Sequence, residues 1–139
     1  MEREPNLFAL FAEYAQESAT PELGTPDVQI EMYRQMEAAG ALQLLGAYRG
    51  GTLIGFLVLI VSVVPHFGKC IASTESYFVT PSARGGGAGI KLLRAAEALA
   101  RDVGAVVFFV SSPSNGRLAQ VMPRMGYRET NRVYMRGLT

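Results

Sequence analysis

A glycine-rich loop between an apolar strand and an amphipathic helix constrains this chain more than any other feature. The run at residues 79–94 reads VTPSARGGGAGIKLLR and holds glycines at 85, 86, 87 and 89. Glycines lack the side chains that would keep an anion away from the backbone. The following helix points its free N–H groups and the positive end of its dipole at the same place. The pattern therefore predicts a site for an anionic group such as a phosphate.

Two common phosphate-binding loops do not fit this register. A P-loop ends in Gly-Lys-Ser/Thr, whereas Lys91 here follows Ile90. A dinucleotide-binding loop of the Rossmann type needs its third glycine at position 90, where Ile90 stands. What remains is Arg84-x-x-Gly87-x-Gly89, preceded by Val79-x-Pro81.

Length and composition predict one domain over residues 1–139, since 139 residues with 49% hydrophobic content can bury one core. Cys70 is the only cysteine, which excludes an internal disulfide and leaves no metal-ligand spacing, so we expect a core residue and no metal. The opening Met-Glu-Arg-Glu-Pro lacks the features of a signal peptide, and no apolar run reaches the roughly 18 residues of a membrane span. We therefore expect a cytoplasmic protein that does not enter membranes.

Charge is distributed unevenly along the chain. Residues 1–40 hold eight acids and two bases, a local charge of −6, whereas residues 81–139 hold nine bases and three acids, a local charge of +6. Either the two regions attract different partners, or they are solvated faces that attract each other. The bases are spread over several elements without interleaved aromatic residues, which speaks against nucleic-acid binding.

Two amphipathic patterns open the chain. An apolar row at helical spacing predicts a first helix over residues 6–18. A second helix is predicted to begin with Thr25 as N-cap and Pro26 at its first position, and to end at Gly40. Its inward face is predicted to carry Val28, Met32 and Met36.

Strands follow. Residues 41–49 and 52–63 are predicted to form a hairpin, because Gly50-Gly51 tolerates the positive φ angles of a two-residue turn. Residues 70–79 form the next strand, in which side chains alternate between two faces. That alternation places Glu75 with Ile71, Ser73 and Tyr77, and Ser76 with Ala72, Thr74 and Phe78.

After the glycine loop, a helix ending near Gly104 leads into residues 105–110, which are apolar throughout and are expected to form a central strand covered on both faces. Strand, helix and strand in succession predict parallel strands joined by a right-handed crossover, with the ligand beyond their C-terminal ends. A short helix to about Pro123 and an antiparallel pair, residues 127–131 and 132–138, complete the predicted order α α β β β α β α β β.

This order and two local motifs resemble the GNAT (Gcn5-related N-acetyltransferase) superfamily over nearly the whole chain. The first motif is Tyr77-Phe78-Val79-x-Pro81-x-x-Arg84-x-x-Gly87-x-Gly89-x-x-Leu92-Leu93, and the second is Asn115-x-x-x-Ala119 with Met125-Gly126-Tyr127 at the place of the family's Leu-Gly-Phe. The resemblance implies an α/β (α+β) fold. Its mixed, mostly antiparallel central sheet has a splayed parallel pair at the cofactor site and helices on both faces.

The resemblance also implies a cosubstrate, acetyl-CoA, whose acetyl group passes to a primary amine by direct attack in a ternary complex. The backbone of Tyr77, Phe78 and Val79 would pair with the pantetheine arm, and Asn115 would contact the cofactor near its thioester. The alternatives are a permissive glycine turn with no ligand, and an Arg84 side chain that only caps a neighbouring carbonyl. The pyrophosphate would be wrapped by Arg84, Gly85, Gly86, Gly87, Ala88 and Gly89.

The chemistry needs an uncharged amine and a stabilised leaving thiolate. Many relatives carry a tyrosine as acid where this chain has Met122, and some carry an acid where it has Val110. Glu75, at a place that resembles that of the base in some relatives, is the first candidate base, although it could equally be paired or solvated. The remaining candidates are His66 as base, whose natural pKa suits the role, and Tyr134 as acid, with Tyr77 and Tyr127 as further options.

The acceptor is predicted from the acids of the N-terminal region. In the resembling fold the first two helices form one wall of the acceptor cleft, and a negative wall attracts cations. This favours a small cationic amine, unless those acids face solvent on the outer sides of the helices. A protein acetyltransferase and a CoA-binding module without catalysis are the competing functions, and the resemblance implies that a homodimer can form.

Overall fold

The computed structural model describes Glu4 and residues 6–139. Two compact units divide the chain; the first extends to Phe109 and the second is Val110–Thr139. The first unit contains α1 (Leu7–Ser18), α2 (Ile30–Ala38), β1 (Leu42–Arg49), β2 (Thr52–Val64), β3 (Lys69–Val79), a 3-10 turn (Pro81–Ala83), α3 (Ala88–Asp102) and β4 (Val107–Phe109).

The four strands form one mixed sheet in the order β1-β2-β3-β4. The first three strands are antiparallel neighbours, and β4 lies parallel to β3. Helices α1 and α2 pack on one face, where they form a core with alternate residues of β2. Helix α3 contacts all four strands and buries Leu92, Leu93, Ala96 and Ala100. The mixed α/β fold class predicted from the sequence is confirmed.

Aromatic side chains fill the core under α1. Phe56 on β2 is fully buried and meets the ring of Phe11 edge-on at 4.9 Å and that of Tyr14 at 5.8 Å. Phe78 on β3 completes the cluster at 5.9 Å from Phe56. Because edge-to-face pairs add about 0.5–1.5 kcal/mol beyond their buried area, this cluster ties α1 to the two central strands.

The β1–β2 hairpin has the predicted turn. Gly50 and Gly51 adopt φ angles of 56° and 79°, and Arg49 pairs with Thr52 directly across the turn. Both positive angles belong to the primed turns whose twist matches that of the flanking strands. The end of β1 lies at the same end of the sheet as the end of β3, because both strands run antiparallel to β2, which lies between them.

Helix α2 begins later than the sequence predicts. Its first residue is Ile30, and Gln29 occupies the N-cap position in place of Thr25. The Gln29 side chain donates to the Asp27 carbonyl, a local bond that competes with the helical ladder. The inward face is consequently carried by Ile30, Tyr33 and Met36 with Val28, while the predicted core residue Met32 is 59% exposed.

Among the strands of the described residues, β4 has only β3 as a neighbour, so the expectation of a central strand covered on both faces is wrong. It spans only Val107–Phe109 and pairs with β3 over Ile71–Ser73. Val107 is 44% exposed and Phe109 is 39% exposed. A continuous apolar run does not by itself determine how many strands flank it.

The second unit contains α4 (Arg117–Val121) and a 3-10 turn (Met122–Met125). The predicted antiparallel pair over residues 127–131 and 132–138 is absent, since no strand forms within residues 127–139. Residues 128–132 read RETNR and offer no apolar face, and an isolated two-stranded hairpin is only marginally stable in water.

Two further features of the described residues bear on the sequence predictions. No helix among them combines the length and apolar character needed to cross a bilayer. Cys70, predicted as a core residue, is a free and only half-buried thiol at the start of β3.

Candidate active site

Strand β3 loses its neighbour on one edge before it reaches the glycine loop. Its pairing with β4 ends at Ser73, although the strand continues to Val79. Among the described strands, none pairs with the later part of this edge. Backbone groups at such an edge are free to bond to a ligand that lies alongside them.

The pairing with β2 determines which of these backbone groups face the open edge. Thr80 N–H donates to the Ile54 carbonyl of β2 at 2.8 Å, so Phe78, two residues earlier, also directs its backbone groups towards β2. Tyr77 and Val79 therefore direct theirs to the open edge. Of the three residues predicted to pair with pantetheine, Tyr77 has its N–H and C=O available and Val79 has its N–H, because the Val79 carbonyl already accepts a hydrogen bond from Arg84 Nε.

The glycine loop joins this edge to the N-terminus of α3. Gly85 and Gly87 have φ angles of 87° and 85°, which residues with a Cβ rarely adopt. Gly87 is the N-cap of α3, and no described side chain caps the helix there. The first N–H groups of a helix lack intrahelical partners, so this end of α3 presents donors and a positive dipole end to an anion.

Tyr77 fastens β3 to the first turn of α3. Its hydroxyl donates to the Gly89 carbonyl, and burial raises its pKa to about 12. The hydroxyl is thus neutral at physiological pH and engaged in a structural bond. A Cβ atom at Gly89 would lie 2.8 Å from the Tyr77 oxygen, so Gly89 allows this close approach.

Arg84 is held against the end of β3 and against α1. Its Nε donates to the Val79 carbonyl at 2.8 Å, and its Nη2 lies 2.7 Å from the Glu17 carboxylate. The guanidinium also lies 5.3 Å from the centre of the Phe78 ring. Arginine has five N–H donors, so the remaining donors can still meet a phosphate. Arg84 thus does bond to a neighbouring carbonyl, as the sequence analysis considered, and this carbonyl belongs to Val79.

Helix α1 supplies a second contact at this corner. Thr80 Oγ1 donates to the Glu13 carboxylate at 2.7 Å, one helical turn away from the Glu17 contact with Arg84. The sequence left open whether the acids of the N-terminal region line an acceptor cleft or face solvent. In the structure they fasten the segment between β3 and the glycine loop to α1.

Glu75 lies at a β-bulge. Val58 of β2 pairs with Ser76 and Leu59 pairs with Thr74, which leaves Glu75 as the extra residue of β3. Its carboxylate accepts a hydrogen bond of 2.6 Å from the Tyr33 hydroxyl of α2. The bulge therefore turns Glu75 towards α2 and away from the face of Tyr77, which strict alternation had predicted for it.

Tyr33 is a neutral donor to Glu75. Burial, followed by the hydrogen bond to Glu75, raises the pKa of Tyr33 far above its ordinary value. Ser76 Oγ is buried beside this pair and partly offsets the rise in the pKa of Tyr33. Its distances and angles to the described residues are not those of a hydrogen bond. The carboxylate of Glu75 is exposed, so it can reach solvent or substrate while Tyr33 orients it.

The other candidate base lies at the opposite end of the sheet. His66 is exposed in the turn between β2 and β3 and packs edge-on against Phe67. Six residues of extended strand separate Lys69 from Glu75, a distance of about 20 Å. Because the glycine loop follows the other end of β3, this placement favours Glu75 over His66.

The second unit carries the remaining predicted residues. Asn115 is exposed in a turn just before α4, and Tyr134 is 87% exposed in the segment after Gly126. Met122, which replaces the tyrosine of many relatives, is buried. Asn115 and Tyr134 stay predictions for a cofactor contact and an acid.

Sequence reasoning missed three contributors to this region. Tyr33 was not recognised because its partner is 42 residues away, and Glu13 and Glu17 because the polar face of a helix does not show what it meets. The position of Glu75 depends on a break in the register of the β2–β3 pairing, and no sequence pattern predicts that break. Within the described residues, no three His, Cys, Asp or Glu side chains lie together as metal ligands do.

The model of the Acetyltransferase (GNAT) family matches residues 7–127. Among curated proteins, none matches the chain.

Several solved structures share the fold. A probable acetyltransferase has 23% identity and a TM-score of 0.78, covering 100% of this chain and 94% of its own. An aminoglycoside acetyltransferase from an uncultured soil metagenomic sample has 17% identity and a TM-score of 0.75, covering 97% and 90%. The ribosomal-protein-alanine N-acetyltransferase of Brucella melitensis biovar Abortus 2308 has 18% identity and a TM-score of 0.68, covering 91% and 87%. At these identities the likeness shows the fold alone.

The close contact between Tyr77 and Gly89 predicts coupling between the two positions. Gly89→Ala should lower the free energy of unfolding by about 1–3 kcal/mol, because the new Cβ displaces a half-buried hydroxyl from its acceptor. In a Tyr77→Phe background the same change should be neutral, or stabilising by up to about 1 kcal/mol, since alanine is the better helix former. Urea denaturation of the four proteins measures the coupling.

The matched background is Tyr48→Phe, because the Tyr48 hydroxyl bonds to Glu4 instead. In the Tyr48→Phe background, Gly89→Ala should lower the free energy of unfolding by the same amount as in the unmodified protein. An equal cost in the Tyr77→Phe background would contradict the proposed contact.

Proposed function

Because the chain belongs to the GNAT acetyltransferase family, we propose that it transfers the acetyl group of acetyl-CoA to a primary amine of a small cationic molecule. The observation that carries this proposal is the open edge of β3 that leads directly into the glycine loop and the uncapped N-terminus of α3. Strand-like donors and acceptors followed by an anion site match a ligand with an amide-bearing arm and a pyrophosphate.

The chain's residues fit this cosubstrate. Tyr77 and Val79 offer backbone groups to the amides of the pantetheine arm, while the N–H groups of residues 85–89 and the donors left on Arg84 offer positive charge to the pyrophosphate. Bound acetyl-CoA would supply an activated acyl group as a thioester. The ion pair between Arg84 and Glu17 is half-exposed, and such pairs contribute only about 0–1 kcal/mol, so a phosphate can compete with Glu17 for the guanidinium.

Glu75 is the proposed base. The amine must lose a proton before it attacks the carbonyl carbon, and an exposed carboxylate on the cofactor strand can accept that proton directly or through water. Tyr33 orients this carboxylate through its short hydrogen bond. Tyr134 is the proposed acid for the leaving thiolate; its exposed hydroxyl can regain the proton from water.

The proposed acceptor rests on the acids between α1 and α2. Glu13 and Glu17 bind Thr80 and Arg84 just beyond the end of β3, whereas Glu22 and Asp27 are exposed. Neither Glu22 nor Asp27 binds a described base. They lie in the connection that forms one wall of the acceptor cleft in the family. Two neighbours with this fold are aminoglycoside acetyltransferases, and aminoglycosides carry several amines that are cationic at neutral pH.

The first prediction concerns cofactor binding. Gly87→Glu should abolish the binding of CoA in calorimetry, because it places a carboxylate where the pyrophosphate is expected. Gly68→Glu is the matched control; both glycines have positive φ and open space at Cβ, so both variants carry a similar backbone strain of about 1–2 kcal/mol. Gly68 lies in the turn before β3 and should leave binding unchanged. CoA binding by a folded Gly87→Glu protein at unaltered affinity would overturn the proposed function.

The second prediction concerns the base. In an assay of thiol release with acetyl-CoA and a panel of amines, Glu75→Gln should lower kcat by about 10²-fold or more while cofactor affinity changes little. Tyr33→Phe should lower kcat less, and it should have no further effect in the Glu75→Gln background, because it acts through that carboxylate. His66→Ala tests the alternative base and should retain activity. Loss of activity in His66→Ala, with an active Glu75→Gln protein, would reverse the assignment.

The third prediction concerns the acceptor. The double variant Glu22→Gln, Asp27→Asn should raise KM for a cationic acceptor and flatten the dependence of KM on salt, because the attraction that concentrates the cation is removed. Glu97→Gln with Asp102→Asn removes the same charge from α3 and should not change KM. An unaltered KM in the first variant, or a best acceptor that is acidic, would contradict a cationic substrate.

A further inference from the structure

An apolar strip follows the β3–β4 pairing on one face of the sheet. Its members are Ile71 on β3 and Val107 and Phe109 on β4. The pairing sets Ile71 beside Val107 and Ser73 beside Phe109, and residues that pair across two strands point to the same face. Ile71 is half-buried, whereas Val107 is 44% exposed and Phe109 is 39% exposed. The strip is therefore one continuous surface that is open to solvent.

Ser73 determines which face carries this strip. On its other side Ser73 pairs with Ile60 of β2, and Ile60 packs against the core under α1 and α2. Ser73, and with it Phe109, therefore points to the side of the sheet on which these two helices lie. Among the described residues, that core includes no residue of β4, so the two helices leave the strip uncovered.

The strip begins beside the proposed base. Glu75 reaches the same face of the sheet, because its carboxylate bonds to Tyr33 of α2. Two residues of a strand span about 7 Å and neighbouring strands lie about 4.8 Å apart, so the Cα atoms of Glu75 and Phe109 are about 8 Å apart. This spacing leaves room for an ammonium group and its first carbon atoms between the carboxylate and the ring. Val107 continues the strip about 7 Å further from Glu75.

We propose that Phe109 and Val107 bind the carbon chain that carries the reacting amine, so that the preferred acceptor is a linear alkylamine. The inference rests on the proposed function and names the substrate class of that site. A protonated amine is attracted both to the carboxylate of Glu75 and to the face of an aromatic ring. The methylene groups of the acceptor are stabilised when they leave water for the apolar strip. Hydroxyl groups on the same chain would lose water there without gaining a partner.

The consequence is a dependence of KM on the length of the acceptor chain. From propylamine to hexylamine, KM should fall by about twofold to fourfold for each added methylene. The value of kcat should change little, because contacts to the chain are the same in the ground state and in the transition state. Pentylamine should exceed the amino alcohol of equal size, in which a hydroxyl replaces the terminal methyl, by at least about tenfold in kcat/KM.

Variants of Phe109 test whether the strip is the origin of this dependence. Phe109→Ala should raise KM for hexylamine by about tenfold, leave kcat within about twofold, and flatten the dependence on chain length. Phe109→Gln keeps most of the side-chain volume but is polar, and it should have the same effect. Phe109→Leu restores an apolar contact and should restore the dependence.

The matched control is Phe67→Ala. Phe67 is 71% exposed in the turn between β2 and β3, at the end of β3 away from the glycine loop, so the variant loses the same ring far from Glu75. It should change neither KM nor its dependence on chain length. Circular dichroism establishes that each variant is folded, and the measurements use the full chain with saturating acetyl-CoA.

The outcomes separate this inference from the proposed function. Acetylation of amines with a KM that does not vary with chain length, or a preference for the amino alcohol, would overturn the inference and leave the proposed function standing. The inference is equally overturned if the folded Phe109→Ala and Phe109→Gln proteins keep the full dependence on chain length, because the carbon chain would then lie elsewhere. Failure to acetylate any amine would remove the proposed function and this inference with it.

Discussion

The unpaired edge of β3 is the constraint on which the rest of the site depends. Backbone N–H and C=O groups are strong hydrogen-bonding groups that must find partners. The short β4 leaves those of Tyr77 and Val79 without a strand neighbour among the described residues. Because the chain turns from this edge into the loop at Gly85 and Gly87, the open edge of β3 and the uncapped N-terminus of α3 become one continuous surface. A longer β4 would close the edge and remove the surface.

Contacts from two helices hold this surface in place. Helix α1 reaches it through Glu13 and Glu17, and Tyr77 joins it to α3. Individually these bonds are modest, since exposed ion pairs and single hydrogen bonds contribute about 1 kcal/mol each. Their effect is positional, because the aromatic cluster around Phe56 already ties α1 to β2 and β3.

The β-bulge at Glu75 gives the proposed base its surroundings. One extra residue in β3 brings this carboxylate to Tyr33 of α2, while Tyr77 keeps its place against α3. The strand thus carries an exposed carboxylate on one side and, at its edge, backbone groups without a strand neighbour among the described residues. Bulges commonly redirect side chains next to active sites, and here the redirected residue is the only acid of the central strands.

The sequence by itself determined the nature of the loop, because glycine spacing and the following helix restrict local backbone geometry, and it determined the order of α1 to β4 through hydrophobic periodicity. Tertiary structure alone decided which side of β3 carries Glu75, what Glu13 and Glu17 contact, and where α2 begins. It also decided that β4 has one strand neighbour among the described residues and that no strand pair follows it. Those features depend on register and on contacts between residues far apart in the chain. Local pattern encodes the conformation of each segment, whereas pairing depends on the free energy of the competing arrangements of all segments together.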